Sequence, residues 1–358
     1  MAGAAIVDVR ARAFDVELTE PFGIATGAQA MAANVLVEVE LDDGTVGLGE
    51  AAPFPAVNGE TQAAALAAVA EARATLVGED AGRFRRLAEK LREAIPAVAS
   101  ARSALEIAVL DAGTRRVGLS MWRFFGGCEE SLETDITIVT GSAEAAGLAA
   151  ERAMRDGFKT LKVKVGGGSV EHDVERLAAV LAAAPNAEIT LDANGSFDVD
   201  EAVELVDRVG AERIALFEQP TRADDLDALR AVRKRTRVLV AADESARSAT
   251  DVAEIAAMRA ADAVNVKIAK CGIAEACDMI AAARAYHLEL MIGGMVESPL
   301  SMTVSACLAA GQGGFRFVDL DTPLFMKNIP TEGGFEQDGP RLRVAHIVAG
   351  HGIAIRSS

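Results

Sequence analysis

Five short apolar runs of this chain each end in charge: Lys162 and Lys164 in "TLKVKV", Asp192 in "EITLDA", Glu218 in "IALFEQ", Asp243 and Glu244 in "RVLVAADE" and Lys267 in "DAVNVKI". Three carboxylates brought together would repel one another and raise each other's pKa. A hard divalent cation removes that problem, and an all-oxygen set favours Mg²⁺ over zinc or copper. No histidine or cysteine accompanies the carboxylates, which argues against zinc. The two lysine-bearing runs flank the carboxylate trio. Near a dication and each other, their pKa is expected to fall toward neutrality, which makes a usable base. A substrate carboxylate on the metal would have its α-proton acidified, and two lysines on opposite faces would invert that carbon.

The stretch "TLKVKV" carries two lysines, Lys162 and Lys164, alternating with Leu161, Val163 and Val165. Alternation places both lysines on one strand face and the aliphatics on the other. Burying adjacent ammoniums is costly, so the stretch alone reads as readily as a half-exposed strand. The rest of the chain favours the buried reading. From residue 134 onward eight apolar runs begin 23 to 28 residues apart, at 134, 160, 188, 214, 237, 262, 289 and 315, with Ala-rich helical runs between them. That rhythm predicts a (β/α) barrel, with a doubly wound sheet as the alternative. In a barrel the carboxyl ends of the strands carry the active site, which is where these charges stand. The eighth run ends on Asp319 and Asp321, spaced to share a face. Thr137 alternates inward on the first run.

Residues 1–55 read as strands with an Asp-Asp-Gly turn, and residues 60–117 as helices, with Thr61 and Ser100 preceding helical periodicity. The 358 residues are 51% hydrophobic, enough for a large core. No apolar run reaches the ~18 residues of a membrane helix, and the first residues lack a signal-peptide pattern. A net charge of −17 argues against nucleic acid and anionic membranes as partners. Cys128, Cys271, Cys277 and Cys307 form no CxxC pair, so a reduced cytoplasmic location is expected. Gly166 to Gly168 reads as a flexible loop rather than a phosphate cradle. The four histidines end no predicted barrel strand.

The set "LKVKVG", "LDANGSF", "FEQP", "AADES" and "VNVKIAKCGI" resembles the enolase superfamily, muconate-lactonizing subgroup, over nearly the whole chain. That superfamily is itself a standard case of a lysine or histidine base working with Mg²⁺, so the pairing is a family property. The resemblance implies a (β/α)₇β TIM-like barrel over 126–321. It also implies an α+β capping domain over 1–125, joined by a returning segment 322–358. It implies Asp192, Glu218 and Asp243 as metal ligands for Mg²⁺, with Glu244 behind the third. Lys164 and Lys267 match the two catalytic bases, and Lys162 the supporting lysine near the substrate carboxylate. A homo-oligomer is expected.

The subgroup covers dipeptide epimerisation, N-acylamino acid racemisation, muconate cycloisomerisation and succinylbenzoate synthesis. The pair Asp319 and Asp321 reads either as an ordinary polar strand end or as a receiver for a substrate ammonium. In the latter sense it resembles the dipeptide epimerases and implies a small dipeptide substrate. The cap loop "EPFGIATGAQA" offers Ile24, Ala25 and Thr26 to the substrate, and "AAPFPAVNGET" adds Phe54, Pro55 and Val57; Met295 is a pocket candidate. With no Lys or Arg in these loops, an uncharged, hydrophobic C-terminal residue is expected over the glutamate of Ala-Glu. The different-class alternative is a noncatalytic, metal-containing barrel.

Overall fold

The computed structural model describes residues 4–25 and 27–356. The N-terminal part is a three-stranded antiparallel sheet of Ile6–Ile24, Gly27–Leu41 and Val46–Ala51, followed by helices Gln62–Leu76, Phe84–Ala94 and Ala99–Arg116. The last helix packs on the third strand with backbones nearly touching: a Cβ on Gly49 would lie 2.0 Å from Ala104 O. Only glycine permits that approach. Thr61 caps the first long helix by accepting from Ala64 N. Ser100, expected ahead of the third helix, lies inside it, after Val98 at the N-cap position. That terminus is satisfied from a distance instead, because the Glu60 carboxylate accepts from Ala99 N and Ser100 N.

The eight predicted runs all form strands: Ile136–Ile138, Thr160–Lys164, Glu188–Asp192, Leu216–Glu218, Val240–Ala242, Ala263–Val266, Glu289–Ile292 and Phe315–Val318. They pair in parallel and in chain order, with helices in the crossovers from Ala143–Arg155 to Pro299–Gln312. Asp135 N donates to Val318 O at 2.9 Å, which joins the first strand to the last and closes the barrel. The doubly wound alternative is therefore set aside.

The barrel floor is apolar. Leu216, Ala241, Ala263, Met291 and Phe317 form one buried cluster across five strands. Two residues further along, on the same faces, stand Glu218, Asp243, Asn265, Gly293 and Asp319. The interior thus changes from hydrocarbon to charge over one pleat. The C-terminal segment touches both parts. Thr331–Gly333 pairs with Ile353–Ile355, Arg341–Arg343 pairs with Ser131–Glu133, and Lys327 N donates to Glu17 O.

Candidate active site

Strand register brings the carboxylates to one level. Asp192 is the register partner of both Lys164 and Glu218, and Glu218 partners Ala241, two residues before Asp243. All three carboxylates are buried. Lys162 Nζ lies between strands, 3.0 Å from Asp192 Oδ2, 2.7 Å from Glu218 Oε2 and 2.6 Å from Asp319 Oδ2. Lys164 Nζ donates to Asp192 Oδ2 at 2.5 Å, and Lys267 Nζ donates to Asp243 Oδ2 at 2.7 Å. The two lysines proposed as bases therefore reach the carboxylate trio from opposite flanks, the second strand and the end of the sixth.

Burial pushes a lysine's pKa down, but the carboxylates here outweigh it. Lys162 is held well above its ordinary value by Asp192, Asp319 and Glu218, and Lys267 is raised by Asp243 and Glu218. The expected fall toward neutrality is therefore not the state of these two residues with the carboxylates alone as neighbours. Conversely, burial raises Asp192 and Asp243, yet the lysines beside them hold both below the ordinary carboxylate range. Glu218 is pushed up to about 7, by burial first and then by Asp192.

The carboxylate trio suits a hard cation. Its donors are all oxygen, they are buried, and they already attract four ammoniums, those of Lys162, Lys164, Lys267 and Lys270. Glu218 Oε2 accepts no well-directed hydrogen bond, although Lys162 lies close. The donor chemistry of Asp192, Glu218 and Asp243 fits Mg²⁺; a second buried carboxylate group, Asp135, Asp319 and Asp321, lies nearby. Glu244 accepts from Asn194 Nδ2 at 3.2 Å, while its other oxygen is unpartnered.

A cavity of about 40 Å³ lies above these groups. Thr137, Lys164, Lys267, Met295 and Asp319 line it, with Phe22, Ile24, Phe54 and Val57 from the cap. Asp321 stands behind this wall and accepts from Thr137 N. Thr26 lies outside the described residues. His172, His287, His346 and His351 are not among the lining residues.

Several contributors escaped the sequence reading. Asn265 donates to Glu218 Oε1 at 2.6 Å. Its spacing of two from Lys267 was the available signal. Lys270 Nζ donates to both Asp243 O and Asp243 Oδ1 at 2.6 Å. Gln219 Oε1 accepts from Asp243 N at 2.9 Å, from a backbone held at φ 35°. Positive φ at a non-glycine residue is a strain that surrounding contacts must hold. Gly293 leaves room for the sixth-strand lysine, since a Cβ there would meet Asn265 at 2.9 Å and Lys267 Cε at 3.0 Å. Buried Arg176 donates to Lys164 O and Val139 O, bracing the first two strand ends. Glu50 of the cap accepts from Asn34 Nδ2, Ser298 Oγ and Ser301 N, which ties the cap to the loop bearing Met295.

The chain is similar to known proteins over nearly its whole length. Residues 6–126 match the mandelate racemase/muconate lactonizing enzyme N-terminal domain, and residues 144–358 match the enolase C-terminal domain-like model. An aromatic dipeptide epimerase from Herpetosiphon aurantiacus is 49% identical over 96% of this chain and 97% of its own. A solved mandelate racemase/muconate lactonizing protein from the same organism superposes with a TM-score of 0.97 at 48% identity, covering 100% of both chains. A dipeptide epimerase from Enterococcus faecalis V583, complexed with Mg and L-Leu-L-Tyr, has a TM-score of 0.94 at 30% identity. That match covers 98% of this chain and 99% of the other.

Proposed function

The chain belongs to the mandelate racemase/muconate lactonizing enzyme family of the enolase superfamily, and on that premise we propose that it epimerises dipeptides at the C-terminal residue's α-carbon. The observation that carries this reading is the placement of Lys164 and Lys267 on opposite flanks of the carboxylate trio, both lining one small cavity. Asp192, Glu218 and Asp243 would hold Mg²⁺. Bound there, Mg²⁺ would supply positive charge to offset these carboxylates and the negative charge that develops on the substrate when its α-proton leaves.

The chain's own residues do the rest. One lysine takes the α-proton from one face as its neutral amine, and the other delivers a proton to the opposite face as its ammonium. Reversal exchanges the roles, so the protein serves both stereoisomers. Lys162 faces the substrate carboxylate. Asp319 and Asp321 receive the free ammonium, which muconate and succinylbenzoate substrates lack. Phe22, Ile24, Phe54 and Val57 meet the side chain of the epimerised residue with hydrocarbon. An uncharged, hydrophobic C-terminal residue is therefore preferred over glutamate. N-acylamino acid racemisation, the second reading, would leave the two aspartates without an ammonium.

The test is incubation of a dipeptide library in D₂O with protein and Mg²⁺, followed by mass analysis. One deuterium is expected at the C-terminal α-carbon of hydrophobic members, accompanied by epimer formation. Absence of exchange across the library would overturn the reading and leave the noncatalytic barrel.

A further inference from the structure

A second carboxylate cluster lies at the seam where the barrel closes. Oxygens of Asp135, Asp319 and Asp321 fall within 4.8 Å of one another, and the three residues are 4%, 8% and 1% exposed. Asp135 immediately precedes the first barrel strand, and its N–H makes the closing bond to Val318 O, so the barrel itself sets its position. Among the described residues, the ammonium in contact with this cluster is that of Lys162, on Asp319 Oδ2. Lys162 is already shared with Asp192 and Glu218. Asp321 Oδ2 accepts from Thr137 N, whereas Asp321 Oδ1 and Asp135 Oδ1 are buried and accept nothing.

Carboxylates this close repel, and a buried oxygen without a donor is costly. The cluster is therefore short of positive charge: burial and the neighbouring Asp319 and Asp321 push the Asp135 carboxyl up, toward holding a proton, and a cation with several donors would relieve the same repulsion. The wall beside it, where Thr137, Asp319 and Thr322 border the cavity, is where such a group can enter. We infer that Asp135 is a positioning residue for the substrate's free ammonium, completing with Asp319 and Asp321 a pocket of three carboxylates for one primary amine. This rests on the dipeptide reading above. A primary ammonium brings a full positive charge and three N–H donors to the cluster. Mg²⁺ suits the cluster less, because it demands near-ideal octahedral contacts at about 2.1 Å, and one oxygen of Asp319 is occupied by Lys162. Asp319 meets the amine at the cavity wall. Asp135 lies behind and acts through its neighbours, deepening the negative potential that selects an amine.

The experiment compares deuterium exchange into Ala-Phe and into its desamino analogue, N-propanoyl-phenylalanine, for the wild-type protein, D135N and D135S. D135N is expected to raise KM for Ala-Phe about tenfold, about 1.4 kcal/mol of binding, with kcat changed far less. KM for the desamino compound should move little, and the number of Mg²⁺ ions bound per chain should stay the same. D135S should show the same split, and supplies the test if D135N does not fold. Equal effects on both compounds, no effect on either, or loss of one Mg²⁺ equivalent would overturn the inference. A wild-type protein that discriminates the compounds while the variants discriminate equally well removes this inference alone. A wild-type protein that treats both compounds alike removes the dipeptide reading with it.

Discussion

Lys164 and Asp192 are register partners on adjacent barrel strands, and the lysine ammonium donates to Asp192 Oδ2 at 2.5 Å. A proposed base and a proposed metal ligand are thus built as neighbours. A metal ion on Asp192 would therefore compete with the Lys164 ammonium for the same carboxylate oxygen.

Removing either base should separate epimerisation from exchange. Lys164→Ala and Lys267→Ala are each expected to cut epimerisation by a factor on the order of 10²–10⁴. Each variant should retain α-proton exchange on only one stereoisomer, and the two should differ in which one. Deuterium incorporation measured separately for the L,L and L,D dipeptides checks this. Near-normal epimerisation by either variant would show that a single base suffices.

Removing one ligand charge should weaken the metal site. Asp192→Asn, Glu218→Gln and Asp243→Asn are each expected to lower Mg²⁺ affinity in calorimetry, because each deletes one anionic oxygen donor. EDTA should silence the protein and Mg²⁺ should restore it. Restoration by zinc with Mg²⁺ ineffective would contradict the hard-cation assignment.

Side-chain preference should follow the cap. An unpaired glutamate carboxylate against Phe22, Ile24, Phe54 and Val57 would cost several kcal/mol, on the order expected for burying a charge without a partner. Ala-Phe or Ala-Leu should therefore exceed Ala-Glu in kcat/KM. A tenfold preference for Ala-Glu, about 1.4 kcal/mol the other way, would place a cation in the pocket.

Glu106 makes a prediction about stability at a distance from the chemistry. Burial pushes its carboxyl up to about 7, against the lowering effect of N–H donation from Ala274 at 3.0 Å. A folded value above the ordinary one means that the folded chain binds this proton more tightly. The associated stability is complete below the ordinary glutamate value and is lost as pH rises through about 7. Glu106→Gln removes this loss. The difference in unfolding free energy between variant and wild type, measured by denaturant titration, should shift toward the variant from pH 5 to pH 8, by up to the order of 2–3 kcal/mol. An identical difference at both pH values would refute the assignment.

The barrel was legible because its signals are local. Alternation in "TLKVKV" and "VNVK" tells which residues share a face, and a charge closing an apolar run marks the end of the strand where the chain leaves the core. Those two regularities single out Lys162, Lys164, Asp192, Glu218, Asp243 and Lys267 from sequence alone. Ser100 went the other way, because its helix is capped by Glu60 from another element rather than by its own side chain. Glu50 reaches Ser298 across 248 positions, and Asp135 meets Asp319 and Asp321 only because the eighth strand returns beside the first. No spacing in the chain encodes such meetings. The same holds for protonation: whether a lysine is an amine or an ammonium depends on how many carboxylates the fold crowds around it. The sequence by itself determined which charged residues stand at the ends of the barrel strands. The tertiary structure decided which of them touch, since contact and charge balance belong to the closed barrel and its cap.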